Sequence, residues 1–422
     1  MEEKKLRVIV AHPGRQHSYK LASALKKAGM LDCYCTTIYD KKSSLLMKIV
    51  KKFLPAEDLK RANSRKNPDL LDKDVVQFYE FAGMVEAFFS RKEKWHKMYF
   101  FVQKRNTDRF GKKVAKLAVK RNVDAVICYD TNALKCFEYL RKYAPDIIRI
   151  QDVSHAPRTA ERDMFEAYVY WTGEEELKKE CLYLWNDKFI ARWNKEIEES
   201  QKFLVASSFV KECLDSFTEE KNIYVVPYGT EKVQNESGLM RQDDKIRFIF
   251  VGQINYRKGV PILLEAFSEL DENKCELVLV GAYDPETRYV KEYQGCKNIF
   301  FKGRIQKDEV WQEYGKSDVF VLDSFAEGFA QVGIEAMMSG LPIICSENSG
   351  VNDIVKDGEN GFVIPWGDKY MLKEKLQWFV DNPDKIKNMG EKAEKVASNY
   401  TWDNYSVNVV NAIREMIGEK CI

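Results

Sequence analysis

Histidine is scarce in this chain, with four among 422 residues. The ten cysteines are scattered from Cys33 to Cys421 and none forms a C-x-x-C pair. A metal centre needs a concentrated set of such ligands, so none is expected. Long apolar runs are missing as well. Nothing approaches the roughly 20 residues of a membrane-spanning helix. Val8 to Ala11, the short apolar stretch near the start, reads as a first strand and not as a secretory signal. The expected location is therefore the cytosol, where unpaired thiols stay reduced. Cys33 and Cys35, two apart in a probable strand, are expected to face the same side as buried structural thiols. No short-period repeat and no low-complexity tract is visible.

What is present is ordinary in bulk and uneven in charge. Apolar residues make up 45% and charged residues 31%, as in a typical globular protein. At 422 residues about two domains are expected. Net charge is +2, yet residues 1–120 hold 28 Lys and Arg against 13 Asp and Glu, while residues 241–422 hold 23 against 30. The basic half suits an anionic partner such as a membrane surface or a phosphate-bearing acceptor, and solvated lysines without a partner explain it equally well. No nucleic-acid partner is expected.

Short β-branched or aromatic runs alternate with amphipathic stretches along the whole chain, the pattern of parallel sheets wound with helices. In the first half the expected strands are 7–11, 33–38, 125–129, 147–150, 203–206 and 223–226. In the second they are 247–251, 276–280, 299–302, 319–322, 342–345 and 362–364. The fold class is α/β, two doubly wound units in series. Residues 1–235 form the first and 236–400 the second, joined by the polar stretch Glu231 to Asp244. The last helix, within 401–422, is expected to pack back on the first unit. One basic segment stands apart: Lys41 to Lys66 carries Leu45, Leu46, Ile49, Val50 and Phe53 at helical spacing. The favoured expectation is a surface helix with its apolar stripe packed on the domain; contact with an anionic membrane is the alternative.

Chemistry concentrates in AEGFAQVGIEAMMSG, Ala326 to Gly340, directly after the strand ending at Leu322. Gly328 and Gly333 allow close backbone approach, and a helix opening near Val332 presents free amides that cradle phosphate. Glu335 in that helix is placed to accept from ribose hydroxyls, and Glu327 before the loop to face a sugar. Taken alone, the stretch is better explained by one glutamate favouring the helix dipole and another in solvent. It does not stand alone. After Val251 the chain reads Gly252, Gln253, Ile254, Asn255, Tyr256, Arg257, Lys258, Gly259 and opens a helix, placing Arg257 or Lys258 where a leaving diphosphate would be neutralised. A solvated basic pair is the alternative there.

VGQINYRKG, followed by FKGRIQKDEVWQEYGKSDVFVLDSFAEGFAQVGIEAMMSGLPIICSENSGVNDIVKDGENGFVIPWGD, resembles the donor domain of the retaining glycosyltransferases of family 4, with the GT-B fold of two Rossmann-like domains facing a cleft. The likeness includes the E-x7-E spacing of Glu327 and Glu335; it covers most of 247–402 and, more loosely, the first half. The resemblance implies that Glu335 holds the ribose, Glu327 faces the donor sugar near its reacting carbon, and Lys258 binds the diphosphate. The backbone of Phe329, Ala330, Gln331 and Val332 would line the phosphates, Arg304 and Ile305 the base pocket. Gly350 matches a loop near the donor sugar. On the acceptor side, HPGRQHSYKLASAL resembles the family's glycine-bearing first loop, with Gly14 at the turn and Arg15 meeting an acceptor phosphate. The AHP start is shared with zinc deacetylases that open AHPDD, but Gly14 and Arg15 replace the acidic ligands.

Two positions depart from the family pattern. Gln253 stands where an Arg is usual, which leaves Gly252 and Gln253 beside the donor without half of the cationic pair; Arg257 is the candidate substitute. In the first half Gln151 stands where the family often has a cleft histidine, and His155 is the candidate to serve instead. The resemblance thus implies a metal-independent retaining enzyme with no cofactor beyond its co-substrate, a UDP or GDP sugar. It would move a hexosyl or N-acetylhexosaminyl group to a glycan or lipid-linked acceptor in cell-surface polysaccharide or glycoconjugate synthesis. It would act in the cytoplasm, with the inner face of the plasma membrane as the place where 41–66 would meet lipid. The competing reading is a GT-B scaffold or binding subunit that has lost turnover and partners an active transferase, a reading that rests on Gln253.

Overall fold

A computed structural model describes residues 6–90, 95–231 and 244–418. Two fully parallel sheets account for all strands among them. The first runs β3(Val75–Gln77), β2(Leu31–Thr36), β1(Val8–Ala11), β4(Ala125–Tyr129), β5(Ile148–Val153), β6(Lys202–Val205) and β7(Ile223–Val225), in that spatial order. The second runs β10(Ile299–Gly303), β9(Cys275–Val280), β8(Ile246–Val251), β11(Val319–Leu322), β12(Ile343–Ser346) and β13(Gly361–Ile364). Central strands such as VIVA in β1, AVICY in β4 and VFVL in β11 are buried at every position, as required when helices cover both faces. The edge strand β10 instead alternates, with Ile299 buried and Phe300 exposed. Cys33 and Cys35 lie in one buried layer with their sulfurs 3.8 Å apart.

Strand order reverses between β1 and β4 in the first sheet and between β8 and β11 in the second. At such a switch point the loops leaving neighbouring strands diverge and open a crevice at the carboxyl edge. All twelve expected strands are present; β3 is an addition. Most of the expected linker, 232–243, lies outside the described residues. The chain leaves the first sheet through Gly229 and Thr230 and comes back beside itself, with the Thr230 amide donating to Tyr400 O at 2.9 Å. The returning helix Trp402–Ile417, capped by Thr401, lies against helix Ser18–Lys27, where Lys20 Nζ sits 4.9 Å from the Trp402 ring centre. Helix Arg158–Thr172 follows β5 yet packs its apolar face on the second half: the Tyr168 ring is 4.7 Å from Phe325, and Phe165 is 6.0 Å from it.

Two expectations need correction. Residues 41–66 do not form one helix with a packed stripe. They form Leu45–Lys51 and Ala56–Asn63, broken ahead of Pro55, whose ring and missing N–H do not let a helix run through it. Met47 alone of the first helix is buried, while Leu45 and Phe53 stay 71% and 82% exposed. Secondly, β5 continues to Val153, so Gln151 is a strand-interior residue, fully buried and donating to Glu196 at 3.0 Å rather than facing a cleft.

Candidate functional site

The loops leaving β8 and β11 meet at the switch point of the second sheet. After β8 the chain makes a 3-10 turn, Tyr256–Lys258, whose preceding Asn255 accepts from the Lys258 amide at 3.1 Å. Gly259 then takes φ 69° with its α-carbon against the β11 loop; a Cβ there would lie 1.9 Å from Asp323 O. Only glycine fits a left-handed position with backbone that close. The turn aims Lys258 at Glu327, and the two form an ion pair. Arg257 Nη1 stands 3.5 Å from the same carboxylate and donates to Ala326 O at 3.2 Å. Burial alone would raise Glu327, but Lys258 and Arg257 more than offset it and hold the carboxyl below its ordinary range. Burial pushes the Lys258 ammonium down from its usual value, with Glu327 opposing and Arg257 assisting.

Glu335 lies in the first turns of helix Gln331–Met338, half-buried, accepting from Thr230 Oγ1 at 3.3 Å. Burial raises its carboxyl and Lys307 partly offsets that. The first amides of that helix lack an acceptor four residues back, and of these the Gly333 amide donates to the Ala330 carbonyl at 2.9 Å. Phe329 and Ala330 are buried beside them, Val332 is half-buried, and the Gln331 side chain donates to Gly229 O at 3.1 Å. Gly252 follows β8 and Gln253 after it is exposed; past β10, Arg304 is exposed and Ile305 half-buried. Gly350 packs against the Gly328 carbonyl.

The first half supplies the facing wall. His155, after β5, shares a hydrogen bond through Nδ1 with Asp130 Oδ2 at 3.0 Å, its side chain 41% exposed, and it is near enough to Glu327 to favour that carboxylate's charge. Asp130, just after β4, also accepts from Ser154 Oγ at 2.9 Å. Burial would raise Asp130, and His155 and Arg158 together hold it low. Arg158 is buried and binds Glu161 at 2.6 Å, and Glu161 in turn lies close to Arg257. The charged groups Asp130, Glu327, Arg257, Glu161 and Arg158, with His155 between the first two, therefore run across both halves. Close contact seals the same seam: the Ser207 hydroxyl donates to Gly328 O at 2.6 Å, and a Cβ on Gly328 would fall 1.9 Å from Ser154 O.

Lys258, Arg257, Glu327 and His155 thus stand together, with Glu335 on the same loop-helix unit. Arg15 does not join them; it is exposed and donates to Ser64 Oγ at 2.9 Å, while the Gly14 amide donates to His12 Nδ1 at 2.8 Å. Asp130, Arg158 and Glu161 had no motif to mark them. Their one sequence signal is position, since each follows closely on a parallel strand. A second set, not foreseen, joins His17 to Asp152 at 3.0 Å, with the Tyr228 ring 4.2 Å from the imidazole.

Residues 231–396 match the family model described as glycosyl transferases group 1. Two uncharacterised glycosyltransferases of Methanocaldococcus jannaschii are 28% and 29% identical over 217 and 252 residues, covering 51% and 52% of this chain and 60% and 62% of theirs. The sulfoquinovosyl transferase of Arabidopsis thaliana is 28% identical over 173 residues, 40% of this chain and 33% of that one. The chain thus spans less than two thirds of the length of these relatives. Among solved structures, sucrose-phosphate synthase from Thermosynechococcus elongatus superimposes with TM-score 0.63 at 17% identity, covering 98% of this chain and 99% of the other. Anabaena HepE, solved in complex with UDP, gives 0.61 at 14% identity over 98% and 100%. The fold is GT-B, two Rossmann-like domains in series.

Proposed function

We propose that this chain is a retaining glycosyltransferase of the family 4 type, taking a hexosyl or N-acetylhexosaminyl group from a UDP or GDP sugar to a glycan or lipid-linked acceptor, in cell-surface polysaccharide or glycoconjugate synthesis. The observation that carries this reading is the convergence of Lys258 and Arg257 on Glu327 at a switch point, beside a helix N-terminus that bears Glu335. The match of 231–396 to the glycosyl transferases group 1 model supports it.

In this mechanism the diphosphate sits at the amides opening Gln331–Met338, and Lys258 leaves Glu327 to meet it. Glu327 is then free to accept from the donor sugar's hydroxyls, and Glu335 from the ribose. The bond between the anomeric carbon and the diphosphate oxygen breaks as charge builds on the phosphate, where preorganised donors count most. The acceptor oxygen bonds to the same face, and its proton passes to the departing phosphate. His155, fixed by Asp130, lies on the side where the sugar would stand. Nothing beyond the nucleotide sugar is required as cofactor. Contact between the halves excludes water, the competing acceptor. Residues 41–66 would lie on an anionic membrane, since Leu45, Ile49 and Phe53 face outward, and the enzyme would work in the cytoplasm at the inner face of the plasma membrane.

A thermal-shift screen against nucleotide sugars tests the donor assignment, because a ligand at 100 times its Kd stabilises by about 2.7 kcal/mol. A product assay with the responding donor then separates turnover from binding. Stabilisation by a nucleotide sugar with no nucleoside diphosphate released, whatever the acceptor, favours the scaffold reading that Gln253 keeps open.

A further inference from the structure

The first half leaves large apolar side chains in solvent within one group of helices. On helix Leu45–Lys51 these are Leu45 and Ile49, four apart and so on one face, and Phe53 in the turn just after it. Helix Glu80–Phe89 adds Phe81. The 26-residue helix His96–Arg121 adds Phe100 and Phe101, each more than 60% exposed; from Met98 on, its first buried side chain is Asn106. The three helices are joined. Ser44 donates to Glu80 at 2.6 Å, Met84 and Ala87 pack on the small core of Ile38, Met47 and Ala62, and Asn106 donates to Glu86 at 3.0 Å.

The charge around these residues is strongly of one sign. Residues 41–66 carry nine Lys and Arg against two acids, and 95–121 carry nine against one. Lys42, Lys48 and Lys52 are exposed between and beside Leu45, Ile49 and Phe53. Apolar side chains of this size left in water mark a binding face, and a basic surround selects what binds. A second copy would meet this face across a two-fold axis and set like charges together. An anionic bilayer takes both features at once, with aromatic side chains entering the acyl boundary and ammonium groups on the lipid phosphates.

We propose that the helices Leu45–Lys51, Glu80–Phe89 and the first turns of His96–Arg121 form one face that inserts Leu45, Ile49, Phe53, Phe81, Phe100 and Phe101 into an anionic membrane. This rests on the reading of a lipid-linked acceptor and extends the contact from 41–66 to the longer helix. The test is cosedimentation of the full chain with vesicles of equimolar phosphatidylcholine and phosphatidylserine, against phosphatidylcholine alone. Wild type sediments with the mixed vesicles at low salt and not with the neutral ones. F53S/F100S/F101S binds at least about tenfold more weakly, and K42E/K48E/K52E loses the dependence on phosphatidylserine. Both variants change side chains that are mostly exposed, and their melting temperature and its shift with nucleotide sugar, measured without vesicles, stay those of the wild type and report the fold and the donor site apart from membrane binding. Wild type left in the supernatant overturns the proposal, as does a serine variant that sediments like wild type. A dimer in solution that F53S/F100S/F101S dissolves assigns the face to a second copy and overturns it too.

Discussion

Replacing Lys258 by Met leaves Glu327 with one cation instead of two. Removing one partner of a buried ion pair costs roughly 3–5 kcal/mol. Here the side chains remain 11% and 21% exposed, and Arg257 stays 3.5 Å from the carboxylate. The expected loss is therefore smaller, about 2 kcal/mol in a urea melt. Adding Glu327→Gln removes the stranded charge, so the double variant recovers most of that loss, with a coupling of about 1.5 kcal/mol or more. Turnover behaves differently. A donor aimed at a leaving group is worth about 100- to 1,000-fold in kcat, and nothing in Glu327→Gln restores it. Release of nucleoside diphosphate from the donor therefore stays low in Lys258→Met and in the double variant. A double variant no more stable than the worse single would refute the ion-pair argument. Wild-type turnover in Lys258→Met would refute the diphosphate assignment.

Glu335→Ala is expected to weaken donor binding about tenfold, the value of a hydrogen bond to a charged group, with calorimetric titration as the check; unchanged affinity removes Glu335 from the ribose. Gly328→Ala sets a methyl 1.9 Å from Ser154 O, so the halves must separate locally. Turnover falls and the radius of gyration by X-ray scattering rises, whereas unchanged values of both would show the seam to be dispensable. Burial, and then nearby Asp130, push Glu196 from its ordinary 4.5 up to about 8. Between those values the folded chain holds a proton that the unfolded chain has released, so stability falls as pH rises, by up to about 5 kcal/mol. Glu196→Gln carries no such proton, and its melting temperature gains on wild type from about pH 5 to pH 8; parallel profiles would refute the assignment.

The strands were legible because a parallel sheet buried on both faces demands short continuous apolar runs, and VIVA, AVICY and VFVL are such runs. β3, three residues long with Gln77 at its end, carries too little of that signal. Residues 41–66 show the limit of periodicity: an i, i+4, i+8 stripe predicts a face but not whether protein or solvent meets it, and the stripe ran outward. Gln151 was misplaced for a different reason. β5 runs three residues beyond Ile150, so Gln151, expected just past the strand, lies in its interior. Within the candidate site, Lys258 and Glu327 were legible since each sits in a glycine-bearing stretch entering a helix, and Glu335 since it lies in the helix that such a stretch opens. Asp130 was not, because its partners His155 and Ser154 follow another strand, and the pair Arg158 and Glu161 was not, because what ties it to the site is Arg257 from the other half of the chain.

That last group bears on Gln253. The resemblance implies two cations on the diphosphate, and the loop after β8 places an exposed glutamine where one is expected. The charge is nevertheless near. Arg257 reaches Glu327 from the same turn, and Arg158 stands beyond Glu161 on the opposite wall. The three cations Lys258, Arg257 and Arg158 are matched by Glu327, Glu161 and Asp130, so a dianionic ligand cannot enter without some pair opening. The pair that opens at least cost is Lys258 with Glu327. Arg257 remains beside the carboxylate, and Glu327 can exchange the ammonium for the hydroxyls of a sugar.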